Sequence, residues 1–299
     1  MVRRRVVEEP VSRLAIWSLR VALFSLVATF IGVIIVRSGA LDVVPAVSTL
    51  AGALALAVVA ILLALGAGIM IWMDGLGGLR QAVWATFIGL ALIGYPAYLG
   101  VRAYQLPAIY DVTTDPIDPP QFDAIARLRP RDANPVTYQG LYAAELQHVA
   151  YSDVEAEQTT AMPQEAFDAA MKVITKRRWR VVNARPPAPG LPPTRISNPR
   201  GPQDFSGRDG IIEAVARSLI LGFREDVVVR IRATNDGTRI DARSASRYGR
   251  NDLGSNATRV RNLMSDIDDV LSAPSKSKEE EKPARPAQPP ERTGRSAKR

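Results

Sequence analysis

The sequence predicts a membrane α-helical anchor of three transmembrane helices, followed by a soluble α+β domain with a mainly antiparallel sheet and two helices on one face. Residues 14–104 are almost free of charge and contain three long apolar runs. The rest of the 299-residue chain is polar, basic and rich in proline. In that second part, strand-like and helix-like segments follow one another in an order typical of α+β domains.

Each apolar run in the anchor, residues 1–104, is long enough to cross a bilayer. Residues 14–36 correspond to about 35 Å of helix, which exceeds a hydrocarbon core of about 30 Å. Their one charge, Arg20, lies near the start, where its side chain can reach the headgroups. Residues 45–73 and 82–104 are also long enough to span. A cleaved signal peptide is the alternative for the first run, but that run is too long and no small-residue cleavage site closes it.

Basic residues at the N-terminus predict the orientation of the anchor. The flank before the first run contains Arg3, Arg4, Arg5 and Arg13, and the positive-inside rule keeps such short basic flanks in the cytoplasm. Three crossings then place everything after residue 104 on the other side. We expect a protein of the bacterial inner (plasma) membrane with a cytoplasmic N-terminus and a periplasmic or extracytoplasmic domain.

Small side chains predict how the spans pack. In the second span, alanines recur at alternating intervals of four and three residues and share one helical stripe: Ala53, Ala57, Ala60, Ala64 and Ala67. Such a stripe is typical of a helix-packing seam. Pro96 in the third span predicts a kink. No carboxylate or histidine lies at mid-span, so a proton relay or ion-coupled transport has no support.

After the anchor we expect a connector, a domain and a tail. Prolines in residues 105–135 predict an extended connector, and the basic residues 273–299 predict a disordered tail. The soluble domain occupies residues 136–272. Its expected strands are residues 154–160, 179–182, 211–221, 226–233 and 238–248. Its expected helices are residues 163–176 and a last helix that is capped by Asp252 or Ser255 and ends at Leu271.

The strands on either side of Asp236-Gly237 form a predicted hairpin. Because side chains alternate between faces, a loop with an even number of residues keeps the apolar residues on one face and the charged residues on the other. The resulting register gives three charged pairs: Arg232 opposite Asp241, Arg230 opposite Arg243, and Asp226 opposite Arg247. The second pair is repulsive, and Glu213 on the neighbouring strand is the expected counter-charge.

The charged face of this hairpin is one candidate ligand-binding surface. Its basic residues are Arg230, Arg232, Arg239 and Arg243. Each basic residue near an anionic membrane contributes about 1 kcal/mol to binding, so the face can hold lipid headgroups. The alternative is a solvated face whose charge is partly offset by Asp226, Asp241 and Glu213.

A polar junction between the last strand and the last helix is the second candidate. It contains Ser244, Ser246, Arg247, Arg250, Asp252 and Asn256. Arg247 or Arg250 can bind an anion as a forked donor, helped by backbone N–H groups at the helix start. The alternative is a structural network in which Asp252 or Ser255 caps the helix and Arg247 pairs with Asp226.

The motif Ser246-Arg247-x-Gly249-x-x-Asp252-x-Gly254-x-Asn256 resembles an uncharacterised bacterial family catalogued as domain of unknown function 1499. The segments 109–115, 222–223, 225–231 and 238–257 share this resemblance, which extends over about residues 105–271. The resemblance implies a coherent domain and a membrane context, and it implies no particular activity.

Other functional classes have less support. The chain has no cysteine, which excludes disulfides, thiolate metal sites and cysteine nucleophiles. Its one histidine, His148, is expected in a loop away from Ser244 and Ser246, so an envelope hydrolase is the least favoured hypothesis. No metal-ligand spacing or phosphate loop occurs. We expect no catalytic residues, no metal, no cofactor and no nucleic acid partner.

The expected function is therefore that of a membrane-anchored, non-enzymatic interaction or ligand-binding module of the bacterial cell envelope. Its expected partner is an anionic lipid or an envelope polymer. The alternative is a structural subunit of a membrane complex, in which the spans pack against a membrane-protein partner.

Overall fold

The computed structural model describes residues 10–188 and 209–273. Three long helices come first: α1 (Arg13–Ser38), α2 (Val43–Asp74) and α3 (Leu79–Gln105). Each is long and apolar enough to cross a membrane, so the three predicted apolar helices are confirmed. Of the arginines on which the predicted orientation depends, Arg3, Arg4 and Arg5 lie outside the described residues, as do residues 274–299 of the predicted tail.

The predicted alanine stripe is the seam by which α2 packs against its neighbours. All five alanines of the stripe are buried. The Ser25 hydroxyl of α1 donates a hydrogen bond to the carbonyl oxygen of Ala53 at 2.8 Å. In α3, Gly89 allows close approach to α2, because a Cβ there would lie 2.5 Å from Ile61 and 3.2 Å from the Ala57 carbonyl oxygen. Pro96 lies inside α3, which continues to Gln105.

The two ends of the anchor have different neighbours. At one end, the Ser12 backbone N–H donates to the carbonyl oxygen of Gly77 at 2.9 Å, so the start of α1 lies beside the α2–α3 connection. At the other end, the Arg37 side chain contacts the soluble domain through the carbonyl oxygens of Leu219 and Ile220. The domain and the start of α1 therefore lie at opposite ends of the helix bundle.

The soluble domain is an open antiparallel sheet with helices. Its strands are β1 (Asp111–Thr113), β2 (Glu157–Thr159), β3 (Arg180–Arg185), β4 (Gly210–Arg217), β5 (Arg224–Thr234) and β6 (Gly237–Ser246). Its helices are α4 (Ala124–Leu128), α5 (Leu141–Ala150), α6 (Pro163–Lys176) and α7 (Ser255–Ser272). The strand order is β1-β6-β5-β4-β3, and β2 also pairs with β6. This arrangement confirms the predicted fold class.

One face of the sheet packs against α6 and α7. The apolar residues of β5 and β6, such as Val229 and Ile240, form a single core with Ile174 of α6 and with Leu263 and Ile267 of α7. The helix α6 begins at Pro163, as its sequence predicts, and its apolar residues recur at helical spacing. The long periodic segments of the sequence therefore build the apolar half of the domain.

Two segments that were expected to be irregular form regular structure. Both β1 and α4 lie within residues 105–135, where an extended connector was predicted, and β1 pairs with β6. His148 lies in α5 rather than in a loop. With 3 residues in β1 and 5 in α4, these two elements are too short for a hydrophobic period to show in the sequence.

The β5–β6 hairpin has a different register from the predicted one. Thr234 pairs with Gly237, so the turn consists of residues 235–236 rather than 236–237. Displacing the turn by one residue moves every partner by two, which preserves the faces and changes the opposed residues. The observed pairs are Arg230 opposite Asp241, Arg232 opposite Arg239, Val228 opposite Arg243 and Asp226 opposite Ala245.

The register follows from a close approach at Gly237. A Cβ there would lie 2.2 Å from the backbone carbonyl oxygen of Thr159 in β2, and the φ angle of Gly237 is +140°. Only glycine accommodates both conditions. Gly237 is therefore needed as the first residue of β6, where β2 docks, and not as a turn residue.

We expect Gly237→Ala to lower the free energy of unfolding of the domain by about 1–3 kcal/mol, because it adds backbone strain and a steric clash. Hydrogen exchange at the amides of β2 and β6 would measure this loss. Gly249→Ala is the matched control, since Gly249 also has a positive φ (+89°) but its Cβ would meet nothing closer than 3.8 Å. Equal effects of the two substitutions would contradict the close-approach argument.

Candidate functional site

Most of the charged face of the sheet is buried, in contrast to both interpretations of it from the sequence, and only Arg232 and Arg239 among its four arginines are partly exposed. Phe122 and Ile125 pack over it against Val228 and Ala245. Arg243 has no exposed surface, and Arg230 is 5% exposed. The segment that covers this face is the one that was expected to be an extended connector.

Arg243 is held by a carboxylate from β1. Its Nε and Nη2 atoms donate to the two carboxylate oxygens of Asp111 at 2.9 and 2.7 Å. It also donates to the carbonyl oxygens of Pro120 and Val136, and its guanidinium lies 4.7 Å from the centre of the Phe122 ring. Burial raises the pKa of the Asp111 carboxyl, and the hydrogen bonds from Arg243 offset only part of that rise. The N–H groups of Arg243 therefore bind residues of the domain itself.

The other arginines of this face are also paired. Asp118 accepts hydrogen bonds from Arg230 at 3.1 Å and from Arg232 at 2.9 Å. Arg239 donates to Asp115 at 2.9 Å and to Asp241 at 3.0 Å. The carboxylates missing from the sequence analysis therefore come from residues 111–118. The predicted lipid-binding role of Arg230 and Arg243 conflicts with this arrangement, because their guanidinium groups are neutralised and covered.

Glu213 has a different role from the predicted one. Its carboxylate accepts backbone N–H groups from Asp123, Ala124 and Ile125 at 2.9–3.1 Å. These residues are the start of α4. Glu213 therefore fixes the segment that covers the charged face and does not separate Arg230 from Arg243.

The serines and Asn256 of the predicted junction form a buried hydrogen-bond network. The Ser244 hydroxyl donates to Asn256 Oδ1 at 2.8 Å, and Asn256 Nδ2 donates to the Ser246 hydroxyl at 3.0 Å. Arg259 donates to Ser244 and Asn256 and pairs with Glu225. Burial and the nearby charge of Arg177 lower the pKa of Arg259 to about 10. Among the described residues, neither serine forms a hydrogen bond with His148 or with a carboxylate, so no hydrogen-bonded nucleophile–base pair is assembled there.

The remaining junction residues separate into three environments. Asp252 accepts the backbone N–H groups of Gly254 and Asn256 at 3.0 and 2.7 Å, just before α7. Arg247 is 4% exposed and donates three hydrogen bonds of 2.8–3.1 Å to the carboxylate of Asp226. Arg250 is exposed. The contacts of Asp252 and Arg247 agree with the structural alternative, but Arg247 also borders a cavity.

That cavity, which we call the interface cleft, lies between the anchor and the domain and has a volume of about 190 Å³. The end of α1 and the start of α2 line it on one side, and the β4–β5 connection lines it on the other. Its charged lining residues are Arg37, Asp42, Asp132, Arg217, Arg224 and Arg247. Of the eight predicted site residues, only Arg247 borders this cleft.

Two arginines contribute positive charge to the cleft, and Asp42 and Asp132 in the same lining offset only part of it. Arg217 and Arg224 are directly opposite each other in β4 and β5, and both are exposed. Within residues 10–188 and 209–273, neither forms an ion pair. Like charges in such a cross-strand position are destabilising unless an anion lies nearby. Arg37 adds to this charge, because its guanidinium donates to two neutral carbonyl oxygens rather than to a carboxylate.

The sequence around the β4–β5 turn contains a feature that could have indicated this cleft. Residues 217–224 place an apolar turn between two arginines. The predicted strand extended to residue 221, whereas β4 ends at Arg217. Because Leu219 and Ile220 were assigned to the strand, the predicted turn lay too late in the chain. In that assignment Arg217 and Arg224 do not face each other.

A comparison with known families identifies the soluble domain. The model of a family described as a protein of unknown function (DUF1499) matches residues 111–267. No curated protein and no solved structure matches the chain. The matched region extends from Asp111 in β1 to Ile267 in α7, so it includes the buried charged face and the domain side of the interface cleft. Because the match covers more than half of the chain, the protein belongs to the DUF1499 family.

Proposed function

We propose that this protein is a membrane-anchored binding module whose interface cleft holds the phosphate-bearing headgroup of an anionic lipid. The observation that carries the proposal is the opposed pair Arg217 and Arg224, which has no carboxylate partner in the described part of the chain. A phosphate between the two guanidinium groups would convert their repulsion into charge-assisted hydrogen bonds.

The position of the cleft supports a lipid rather than a distant macromolecule. The cleft is lined by Val36 at the end of α1 and by Val43 and Ala46 at the start of α2. Both helices are apolar enough to span a bilayer, so their adjoining ends lie at the level of the headgroups. Basic side chains at this level are attracted to anionic lipids.

The orientation and location follow from the basic N-terminal flank. We place that flank in the cytoplasm and the domain on the extracytoplasmic or periplasmic side of a bacterial plasma membrane. The position of the domain at the end of the bundle opposite to Ser12 supports this arrangement. The module would then act in the cell envelope as a non-enzymatic, lipid-engaging component.

The double substitution Arg217→Gln and Arg224→Gln tests the proposed site. We expect the detergent-solubilised full chain to bind phosphatidylglycerol in preference to phosphatidylcholine. Loss of two arginines should reduce the affinity for phosphatidylglycerol by about 30-fold, at about 1 kcal/mol for each charge. Native mass spectrometry of lipid titrations would measure the change.

The control removes the same charge elsewhere on the domain. Lys172 on α6 and Arg185 on β3 are exposed and lie outside the cleft, so their replacement by glutamine should leave the preference intact. A cleft variant that still prefers phosphatidylglycerol would refute the site. If soluble glycerol phosphate binds the wild-type chain as tightly as phosphatidylglycerol does, the ligand is a soluble phosphate ester and the lipid assignment is wrong.

A further inference from the structure

The β4–β5 connection exposes apolar side chains at the tip of a hairpin. We call this feature the apolar tip and define it as residues 219–223, between Arg217 and Arg224. Leu219 is 88% exposed and Ile220 is 42% exposed. Hairpin turns usually carry glycine, asparagine, aspartate or proline, so a turn that presents leucine and isoleucine to the surroundings is unusual. Clustered exposed apolar side chains indicate an interaction surface.

The apolar tip is held in a defined conformation. The Ser218 N–H donates to the Phe223 carbonyl oxygen at 2.9 Å, and the Phe223 N–H donates to the Ser218 hydroxyl at 2.9 Å. Gly222 has a φ angle of +70°, and a Cβ there would lie 3.1–3.4 Å from atoms of Arg37. The turn is therefore shaped to fit against the end of α1.

Contacts with Arg37 hold the apolar tip beside the end of α1. Arg37 lies in the last turn of α1 and donates to the carbonyl oxygens of Leu219 and Ile220 at 2.5 and 3.1 Å. The apolar tip thus lies beside the point where a transmembrane helix leaves the hydrocarbon. The neighbouring α1–α2 region also exposes apolar side chains, with Leu41 at 45% and Val44 at 71%.

We infer that the apolar tip inserts into the interfacial layer of the bilayer and forms a second membrane attachment of the soluble domain. Leu219 and Ile220 would enter the boundary between headgroups and acyl chains, and Arg217 and Arg224 would remain among the phosphates above them. An apolar group flanked by basic residues is the pattern of interfacial membrane attachment. The domain is then held against the membrane at two points, the end of α3 and the apolar tip.

This inference does not depend on selective binding in the interface cleft. Apolar insertion requires hydrocarbon and not a particular headgroup, so it should also occur in a bilayer of phosphatidylcholine alone. The two proposals can therefore fail separately. If only the cleft proposal is wrong, the chain will lack selectivity for anionic lipid but will still insert its apolar tip. If only the present inference is wrong, the chain will bind anionic lipid selectively but its apolar tip will not insert.

The test uses the absence of cysteine from the chain. Leu219→Cys introduces a single site for a spin label at a largely exposed position, so folding should not suffer. Asp236→Cys is the matched control, because it lies in the exposed turn at the other end of β5. Both full-length variants would be reconstituted into phosphatidylcholine nanodiscs, and collision rates of the label with oxygen and with a water-soluble nickel complex would be measured.

We expect the ratio of oxygen to nickel collisions to be several-fold higher at position 219 than at position 236, because oxygen concentrates in the bilayer and the nickel complex stays in water. Equal ratios at the two positions would overturn the inference. Strong protection of position 219 from both reagents would also overturn it, since the apolar tip would then be covered by protein rather than lipid.

Discussion

Replacing Asp111 with asparagine should lower the free energy of unfolding of the soluble domain by about 3–5 kcal/mol, the typical loss when one partner of a buried ion pair is removed. Arg243 and Asp111 both have 0% side-chain exposure. Asparagine can accept only part of the hydrogen bonding that the carboxylate provides and leaves the guanidinium charge uncompensated. The paired strands β1 and β6 should open together as a result.

Hydrogen exchange of the β6 amides in the full-length chain measures this change. Since 1.4 kcal/mol corresponds to a factor of ten, exchange through domain opening should accelerate by about two to three and a half orders of magnitude. Asp153→Asn is the control, because Asp153 pairs with Arg261 at an exposed position, and exposed pairs contribute little. Similar exchange in the two variants would mean that the Asp111–Arg243 pair contributes no more than a surface contact.

A double substitution separates charge compensation from packing. Asp111→Leu with Arg243→Met removes both charges and keeps much of the volume under Phe122 and Tyr138. Apolar replacement of a complete buried pair is often tolerated, so this variant should be more stable than Asp111→Asn alone. It should not recover fully, because the carbonyl oxygens of Pro120 and Val136 lose their donor.

The apolar half of the fold was predictable because it is encoded by apolar patterns that extend over many consecutive residues. The three spans are long continuous apolar runs, and α6 repeats an apolar pattern at helical spacing. The strand alternation in β5 and β6 identified the face that packs against α6 and α7. The charged half was not predictable in the same way. Whether the arginines of β5 and β6 face solvent depends on Asp111, Asp115 and Asp118, which lie more than 100 residues earlier in the chain and beside prolines that indicated a connector.

The interface cleft was not predictable either, because it also depends on residues that are far apart in the sequence. Arg37 and Leu219 are separated by 182 positions, and no periodicity in the sequence pairs the end of a transmembrane helix with a hairpin turn. The sequence analysis grouped the polar residues from Ser244 to Asn256 into one candidate site, whereas the structure distributes them among several environments. Ser244 and Ser246 each bond to Asn256, and Arg259 donates to Ser244 and Asn256. A mixture of polar residue types in a motif therefore did not predict access to a ligand.

Replacing Glu213 with glutamine should destabilise the segment that covers the charged face, by about 3 kcal/mol or more. The Glu213 carboxylate has no exposed surface and accepts the three N–H groups at the start of α4 and the Asn183 side chain. Glutamine keeps the volume but turns an N–H₂ group toward one or more of these donors. Each buried donor left without an acceptor costs about 1–3 kcal/mol.

The effect of this substitution should appear first in α4 and then in the arginines beneath it. Amides of residues 123–125 should exchange faster than those of β6, because the covering segment can detach before the sheet opens. Glu165→Gln is the matched control, since Glu165 also accepts an N–H group at a helix start, that of Met162 at 3.1 Å, but in an exposed position. Water can replace the lost acceptor at α6 and cannot do so under α4. If the two substitutions change exchange equally, burial of the α4 donors is not what makes Glu213 important, and the charged face must be kept covered mainly by Phe122 and Ile125.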